Sequence, residues 1–236
     1  MVVNRLDFLR VLKIVKSVGV NEVKFDEQGR FSVLSPDNVF LKGKGLSFGR
    51  KLAFMDISML EKMLDTFSLL EVNIEFDKNL MLITGGGMKF GYRLADYDIV
   101  ESVPDENFRK VESLPGWISQ LIDFERLKSM KKLIDKLGVD EISFQSIQGG
   151  LKVYVGQKDL FYGEVFLEGF PQFESSESLI RFDANQVKDV LSVVDEPKIE
   201  FSIRPFMEDN IGLLRVKAGE FVWYIGALLS GTRENS

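Results

Sequence analysis

The feature that most restricts what this chain can fold into is that it repeats itself. The segment from Val11, VLKIVKSVGVNEVKF, aligns without a gap to the segment from Met130, MKKLIDKLGVDEISF. Lys13, Gly19, Val20, Glu22 and Phe25 are matched by Lys132, Gly138, Val139, Glu141 and Phe144. A second stretch, Met55 to Phe67, corresponds to Phe182 to Val194 through Asp56/Asp183 and Leu64/Leu191, and both halves then read Ile-Glu-Phe, at 74 to 76 and 199 to 201. Any one match could arise by chance, but their common order points to a duplicated unit. In 236 residues, two domains of modest size fit that duplication.

Within each half the hydrophobic period switches between helix and strand in a fixed order. Phe8, Val11, Leu12 and Val15 share one face of a helix over 5–17, and Leu60, Met63, Leu64 and Phe67 do so over 56–67. The second half repeats this with Leu127, Met130, Leu133, Ile134 and Leu137, then with Val187, Val190, Leu191 and Val194. Asp56, Asp183 and Asp123 stand where helix N-caps belong. A short β-like stretch precedes each helix and about three alternating strands follow it, among them Val72/Ile74/Phe76, Phe90/Tyr92/Leu94 and Leu151/Val153/Val155. Turn residues fall between them at Glu27-Gln28-Gly29, Gln148-Gly149-Gly150, Glu208-Asp209-Asn210 and Ala218-Gly219-Glu220. The spacing predicts an α+β protein of four βαβββ units, with domains over 1–96 and 117–236. Residues 97–116, with Pro104 and Pro115, lose periodicity and are expected to be the linker.

Composition excludes several function classes. There is no Cys and no His, so disulfides, thiolate or imidazole metal sites and His-based triads are ruled out. Thirty basic residues against 36 acidic ones give a net charge of −6, the wrong sign for a chain coated in nucleic-acid-binding surface. Placing each charge on its element changes that inference. The helices over 5–17 and 124–137 each sum to +3, those over 56–67 and 183–194 to −2 and −1, so the rest of the chain carries −9. A basic row opposite a core face is ordinarily a solvated surface. Its recurrence at equivalent positions of both halves, on an acidic background, favours a phosphate-tracking surface that ignores base sequence. The N-terminus lacks the pattern of a signal peptide, and no apolar run approaches the length of a membrane helix, so a soluble, cytoplasmic protein without membrane partners is expected.

Two duplicated domains, basic helices and an acidic total together resemble the DNA sliding clamps. The likeness is to the trimeric clamps, both the proliferating cell nuclear antigen type and the shorter tailed-phage type. It runs through IDFERLKSMKKLI (122–134), LIRFDANQVKDVLSVV (179–194) and the strand FVWYIGAL before the polar tail SGTRENS. The resemblance implies a DNA clamp fold with helices on the inner face and sheets outside. Three copies would form a head-to-tail homotrimeric ring around double-stranded DNA, acting as a processivity factor that tethers DNA polymerase and other replication proteins after placement by a clamp loader. Neither catalysis nor a cofactor is implied, and the setting would be the cytoplasm, that of the host for a viral or phage-like protein, or the nucleus for a eukaryotic one.

Carried onto this sequence, the inward basic positions fall on Lys13, Lys16, Lys62, Lys132 and Lys136. The helical faces add Arg5, Arg10, Lys128, Lys131 and Lys188. The pocket that takes a partner's hydrophobic peptide would involve Val39, Phe40, Val111, Leu114, Tyr224, Gly226, Ala227 and Leu229, although Gly226-Ala227 stands where an Ala-Pro pair is usual. Ring closure would pair residues 88–96 with 160–167, bringing Phe90 and Tyr92 toward Phe161, Tyr162 and Phe166. LFYGEVFL would be a hazardous edge in a monomer and a natural one at a strand-pairing interface.

KGKGLSFGRK (42–51) matches neither a dinucleotide fingerprint nor a Walker loop, and its glycines are expected in hairpin turns, as are Gly85-Gly86-Gly87. Two alternatives stay open: a polymerase accessory factor of other stoichiometry, such as a monomeric viral subunit or one member of a heterotrimer, and a carboxylate-dependent enzyme on the same architecture.

Overall fold

The computed structural model describes residues 1–157, 161–173 and 179–229, and the chain divides into two compact units, Met1–Asp105 and Glu106–Ser236. The first unit runs β1 (Val2–Asn4), α1 (Arg5–Lys16), β2 (Val23–Phe25), β3 (Arg30–Leu34) and β4 (Val39–Lys44). It repeats the order with β5 (Leu52–Phe54), α2 (Ile57–Asp65), β6 (Glu71–Asp77), β7 (Leu80–Gly85) and β8 (Met88–Arg93). Strands β1-β6-β7-β8 form one antiparallel sheet, while β2 pairs with β5 and β3 with β4.

The linker stretch is less bare than expected, because it holds a helix, α3 (Asp105–Ser113), directly after Pro104. Phe108 alone of its residues is buried, so the periodic signal is too weak to read from sequence. The second unit continues with β9 (Ile118–Asp123), α4 (Phe124–Leu137), β10 (Glu141–Ile147), β11 (Gly150–Gln157) and β12 (Phe161–Glu168). Then come β13 (Ile180–Asp183), α5 (Ala184–Val193), β14 (Lys198–Arg204), β15 (Leu213–Ala218) and β16 (Phe221–Gly226). Its antiparallel sheets are β12-β11-β10-β13 and β9-β14-β15-β16. The βαβββ unit occurs four times in the order that the periodicity gives.

The duplicated residues occupy matching places. Gly19 and Gly138 both take left-handed backbone, φ 77° and 59°, just past their helices, a conformation that any Cβ would strain. Phe25 and Phe144, and likewise Leu64 and Leu191, are core residues of their own units. Asp56 Oδ1 accepts from Met59 N at 2.9 Å, and Asp183 Oδ1 accepts from Asn185 N and Gln186 N at 2.9 and 3.0 Å, as caps should. Asp123 differs: it sits at the N-cap of α4 without a side-chain cap bond, and Glu125 in the first turn supplies the negative charge that suits the helix dipole. Asn4 caps α1, accepting from Leu6 N at 2.9 Å and Asp7 N at 3.3 Å.

Each unit buries helix faces against its sheets. In the first, Phe8 of α1 meets Phe54 and Phe48 with ring centroids 6.2 and 5.4 Å apart, and Phe25 meets Phe54 edge-on at 5.8 Å. Burial of each such ring contributes about 2–3 kcal/mol. In the second, Phe144 packs edge-on against Phe182 at 5.4 Å. Glycines let the helices come close. A Cβ on Gly45 would lie 2.9 Å from Val11 Cγ1 of α1, and one on Gly163 of β12 would lie 3.0 Å from the methyls of Leu133 of α4. Gly45 is thus kept for helix packing, and Gly43 lies inside β4 opposite Phe31, so these two are not the turn residues expected of them. Gly86-Gly87 does turn β7 into β8. No helix among the described residues is long and apolar enough to cross a membrane.

Candidate nucleic-acid interface

The basic positions of the helices separate into two kinds. In the first unit α1 buries Leu9 and Ile14 as well as the expected face, because it packs on α2 as well as on strands. That wider apolar sector moves Arg5 and Lys16 to the seam between the helices. Lys16 Nζ donates to Glu61 Oε2 of α2 at 2.6 Å. Arg5, its side chain 14% exposed, donates to the carbonyls of Leu69 and Leu64 at 3.0 and 3.4 Å and lies 3.8 Å from Asp65. Arg5 and Lys16 therefore clasp α1 to α2, a correction to the single basic sector expected of them, and Arg10 is half-buried. Lys13 and Lys62 remain exposed and make no ion pair among the described residues.

The second unit sorts its cations the same way. Lys128 pairs with Glu125, Lys131 with Asp135 at 2.8 Å, and Lys188 donates to Asn185 Oδ1 at 3.0 Å. Lys128 holds the Glu125 carboxyl below the usual carboxylate range, with a smaller contribution from Lys132. On α5 the Asp189 carboxyl is pushed up by partial burial, Lys188 opposing the shift and Asp183 and Asp135 adding to it. Lys132 and Lys136 stand exposed, without an ion pair among the described residues. Lys132 is the repeat equivalent of Lys13, so the same helix position is cationic and solvent-facing in both halves. Exposed pairs such as Lys128–Glu125 are weak in water and exchange readily for another anion.

The residues expected at a partner pocket also divide. Val39 and Phe40, in the first unit, are buried and half-buried. In the second, Val111 and Leu114 are half-buried, Gly226 and Ala227 lie at the end of β16, and Leu229 is 53% exposed. Tyr224 is not a pocket wall within its own unit. Its ring packs against Phe108 and Trp117 at 6.0 and 6.2 Å, its hydroxyl donates to Glu112 Oε1 at 2.7 Å, and burial raises its pKa far above that of free tyrosine. The linker helix α3 occupies the ring, which could not be foreseen without seeing α3. Sequence reasoning also missed Arg204, a fully buried guanidinium on β14. It donates to Pro115 O at 2.9 Å, binds Asp209 through both nitrogens and reaches Ile211 O, fixing a loop that exposes Met207 and Ile211.

No protein-family model and no curated protein matches the chain. Solved structures do. The PCNA of A. fulgidus, with the C-terminal region of FEN-1 bound to it, superposes with a TM-score of 0.71 over 98% of both chains at 14% identity. The PCNA2–PCNA3 complex of Sulfolobus tokodaii gives 0.69 over 96% of this chain and 99% of that one, also at 14% identity. The fold is that of the DNA sliding clamps. The likeness extends to the DNA polymerase III β sliding clamp of Bartonella birtlesii, with a TM-score of 0.71 at 13% identity, where 97% of this chain covers 67% of the longer one.

In this clamp fold, the strands expected to meet across subunits, β8 and β12, each stand at the end of a sheet order. Tyr162 and Phe166 of β12 are 45% and 43% exposed. Phe90 is half-buried against Phe67, ring centroids 5.3 Å apart. Tyr92, only 6% exposed, faces inward, and its hydroxyl accepts from Asp56 N at 3.0 Å at the start of α2, so its side chain is core and not interface. Phe161 lies on β12 with its side chain outside the described residues.

Proposed function

We propose that this chain is a non-enzymatic sliding clamp: a homotrimeric ring that encircles double-stranded DNA and holds DNA polymerase and other replication proteins to it. The observation that carries this is the pair Lys13 and Lys132. Both are exposed, lack an ion pair and sit at the same position of the duplicated helix in a clamp fold. An encircling ring needs little affinity, only a lining that attracts phosphates and is indifferent to bases, and four exposed lysines on an acidic background supply that. Residues 1–96 and 117–236 are then the two clamp domains and 97–116 the joint between them. The edges β8 and β12 close the ring, a loader places it on DNA, and the protein acts in the compartment that holds its DNA, the cytoplasm or, in a eukaryote, the nucleus.

Native mass spectrometry tests the assembly. Three copies are expected at micromolar concentration, and a strict monomer would overturn the ring. In a primer-extension assay, changing Lys13, Lys132 and Lys136 together to Glu should shorten the polymerase's products while the trimer persists. Undiminished processivity in that variant would refute the lining.

A further inference from the structure

Between Lys42 and Lys51 the chain carries four cations and no carboxylate, within a protein whose net charge is −6. This stretch is the end of β4, through Lys44, followed by a loop tied down at several points. Phe48 plugs it into the first unit's core, tilted against Phe8 at 5.4 Å and edge-on to Phe76 at 6.1 Å. Ser47 Oγ donates to Glu27 O at 2.7 Å, and Gly45 N donates to Gly29 O at 2.8 Å. On that base Lys44, Arg50 and Lys51 are exposed and make no ion pair among the described residues.

Aromatic rings hold the cations in place. The Arg50 guanidinium lies 5.1 Å from the Phe76 ring centroid. Lys51 Nζ and Lys24 Nζ, from the neighbouring strand β2, lie 5.4 and 5.0 Å from the centroid of one ring, that of Tyr97. Two like charges gathered at a single ring repel each other, and a bound anion nearby would lower that repulsion. Two carboxylates lie close enough to act on Tyr97: Asp26, engaged by Arg30 at 2.6 Å and by turn amides, and Asp98, which is exposed.

We propose that Lys44, Arg50 and Lys51, backed by Lys24, form a second phosphodiester-binding site, outside the helices, that grips the backbone of duplex DNA. The aromatic surfaces already lie beneath cations, so no free ring is left to stack an unpaired base or to bury a peptide side chain. Charge alone is offered, which suits the closely spaced phosphates of a duplex. The site rests on DNA being the ligand of the proposed function, but its residues are separate from the helix lysines.

Fluorescence anisotropy of the full chain with a short linear duplex, titrated with NaCl, tests it. Changing Lys44, Arg50 and Lys51 together to Ala should reduce the slope of log affinity against log salt by about 2–3, since each phosphate contact contributes about 0.9. Changing Lys13, Lys62, Lys132 and Lys136 to Ala should leave that share of the slope in place. An unchanged slope in the loop variant, with binding lost in the helix variant, overturns the site and leaves the clamp reading intact. Binding lost in the loop variant alone keeps the site and removes the lining instead. Polyglutamate that competes with the duplex charge for charge would overturn the choice of phosphodiester in favour of an acidic peptide. Circular dichroism melts of both variants, expected to match the parent because the altered side chains are exposed, separate lost contacts from lost folding.

Discussion

At the scale of single residues, side chains that look alike in sequence are used in opposite ways. Lys13 and Lys16 lie three apart on α1, yet Lys13 faces solvent alone and Lys16 is held 2.6 Å from Glu61. Helical spacing gives the angle of a residue but not the neighbour it meets, and a step of only about 60° around the axis separates open surface from the α1–α2 seam. Tyr224 and Tyr92 were legible as aromatic residues of edge or pocket, and both proved to be core, because the partners that cover them, Glu112 with Phe108 and the Asp56 amide, come from distant sequence. Tyr224→Phe removes a buried hydroxyl from its bond while leaving the ring in place. Glu112 is exposed and can be rehydrated, so the expected loss is about 1 kcal/mol, read as a lower midpoint in chemical denaturation. A neutral result would mean that the 2.7 Å bond contributes nothing net.

At the scale of elements, the four helices and the strands around them were open to sequence reasoning because each keeps a clean period and most end in a cap or a glycine. The linker helix was not, since its nine residues bury only Phe108 and lie between two prolines. The glycines of 42–51 show the complementary limit. Composition suggests turns there, whereas Gly45 exists because α1 passes over it, a reason that only packing reveals. Gly163 plays the same part under α4, and its replacement makes a sharp test. Gly163→Val would drive branched methyls into Leu133 and should cost about 1–3 kcal/mol, seen as a fall of several degrees in the thermal midpoint. Pairing it with Leu133→Ala should restore part of the loss, and no rescue would show that the contact between helix and strand is not the cause.

At the scale of the whole molecule, the net charge of −6 misleads until it is distributed: basic residues concentrate on α1, α4 and the loop over 42–51, while acidic residues dominate elsewhere. The same scale governs assembly. β8 and β12 each lie at an end of their sheets with unpaired edges, and Tyr162 and Phe166 add exposed aromatic surface to β12. A strand of that kind is an aggregation hazard unless it is met by another strand. Changing Tyr162 and Phe166 together to Asp should convert trimers to monomers in native mass spectrometry while leaving the melting curve of the separated chain close to that of the parent. A trimer that survives both charges would show that closure does not run through β12.

The sequence by itself determined the duplication, the order βαβββ in each quarter and the placement of positive charge on one helix of each half. These follow from local period, local turn chemistry and a comparison of the chain with itself. Tertiary structure alone decided which cations are free, which aromatics are core and why particular glycines are required. Each of those depends on an atom contributed from far along the chain, as when Glu61 takes Lys16, α3 covers Tyr224 or α1 crosses Gly45. No periodicity records such meetings, because only the packed chain brings those atoms within bonding distance.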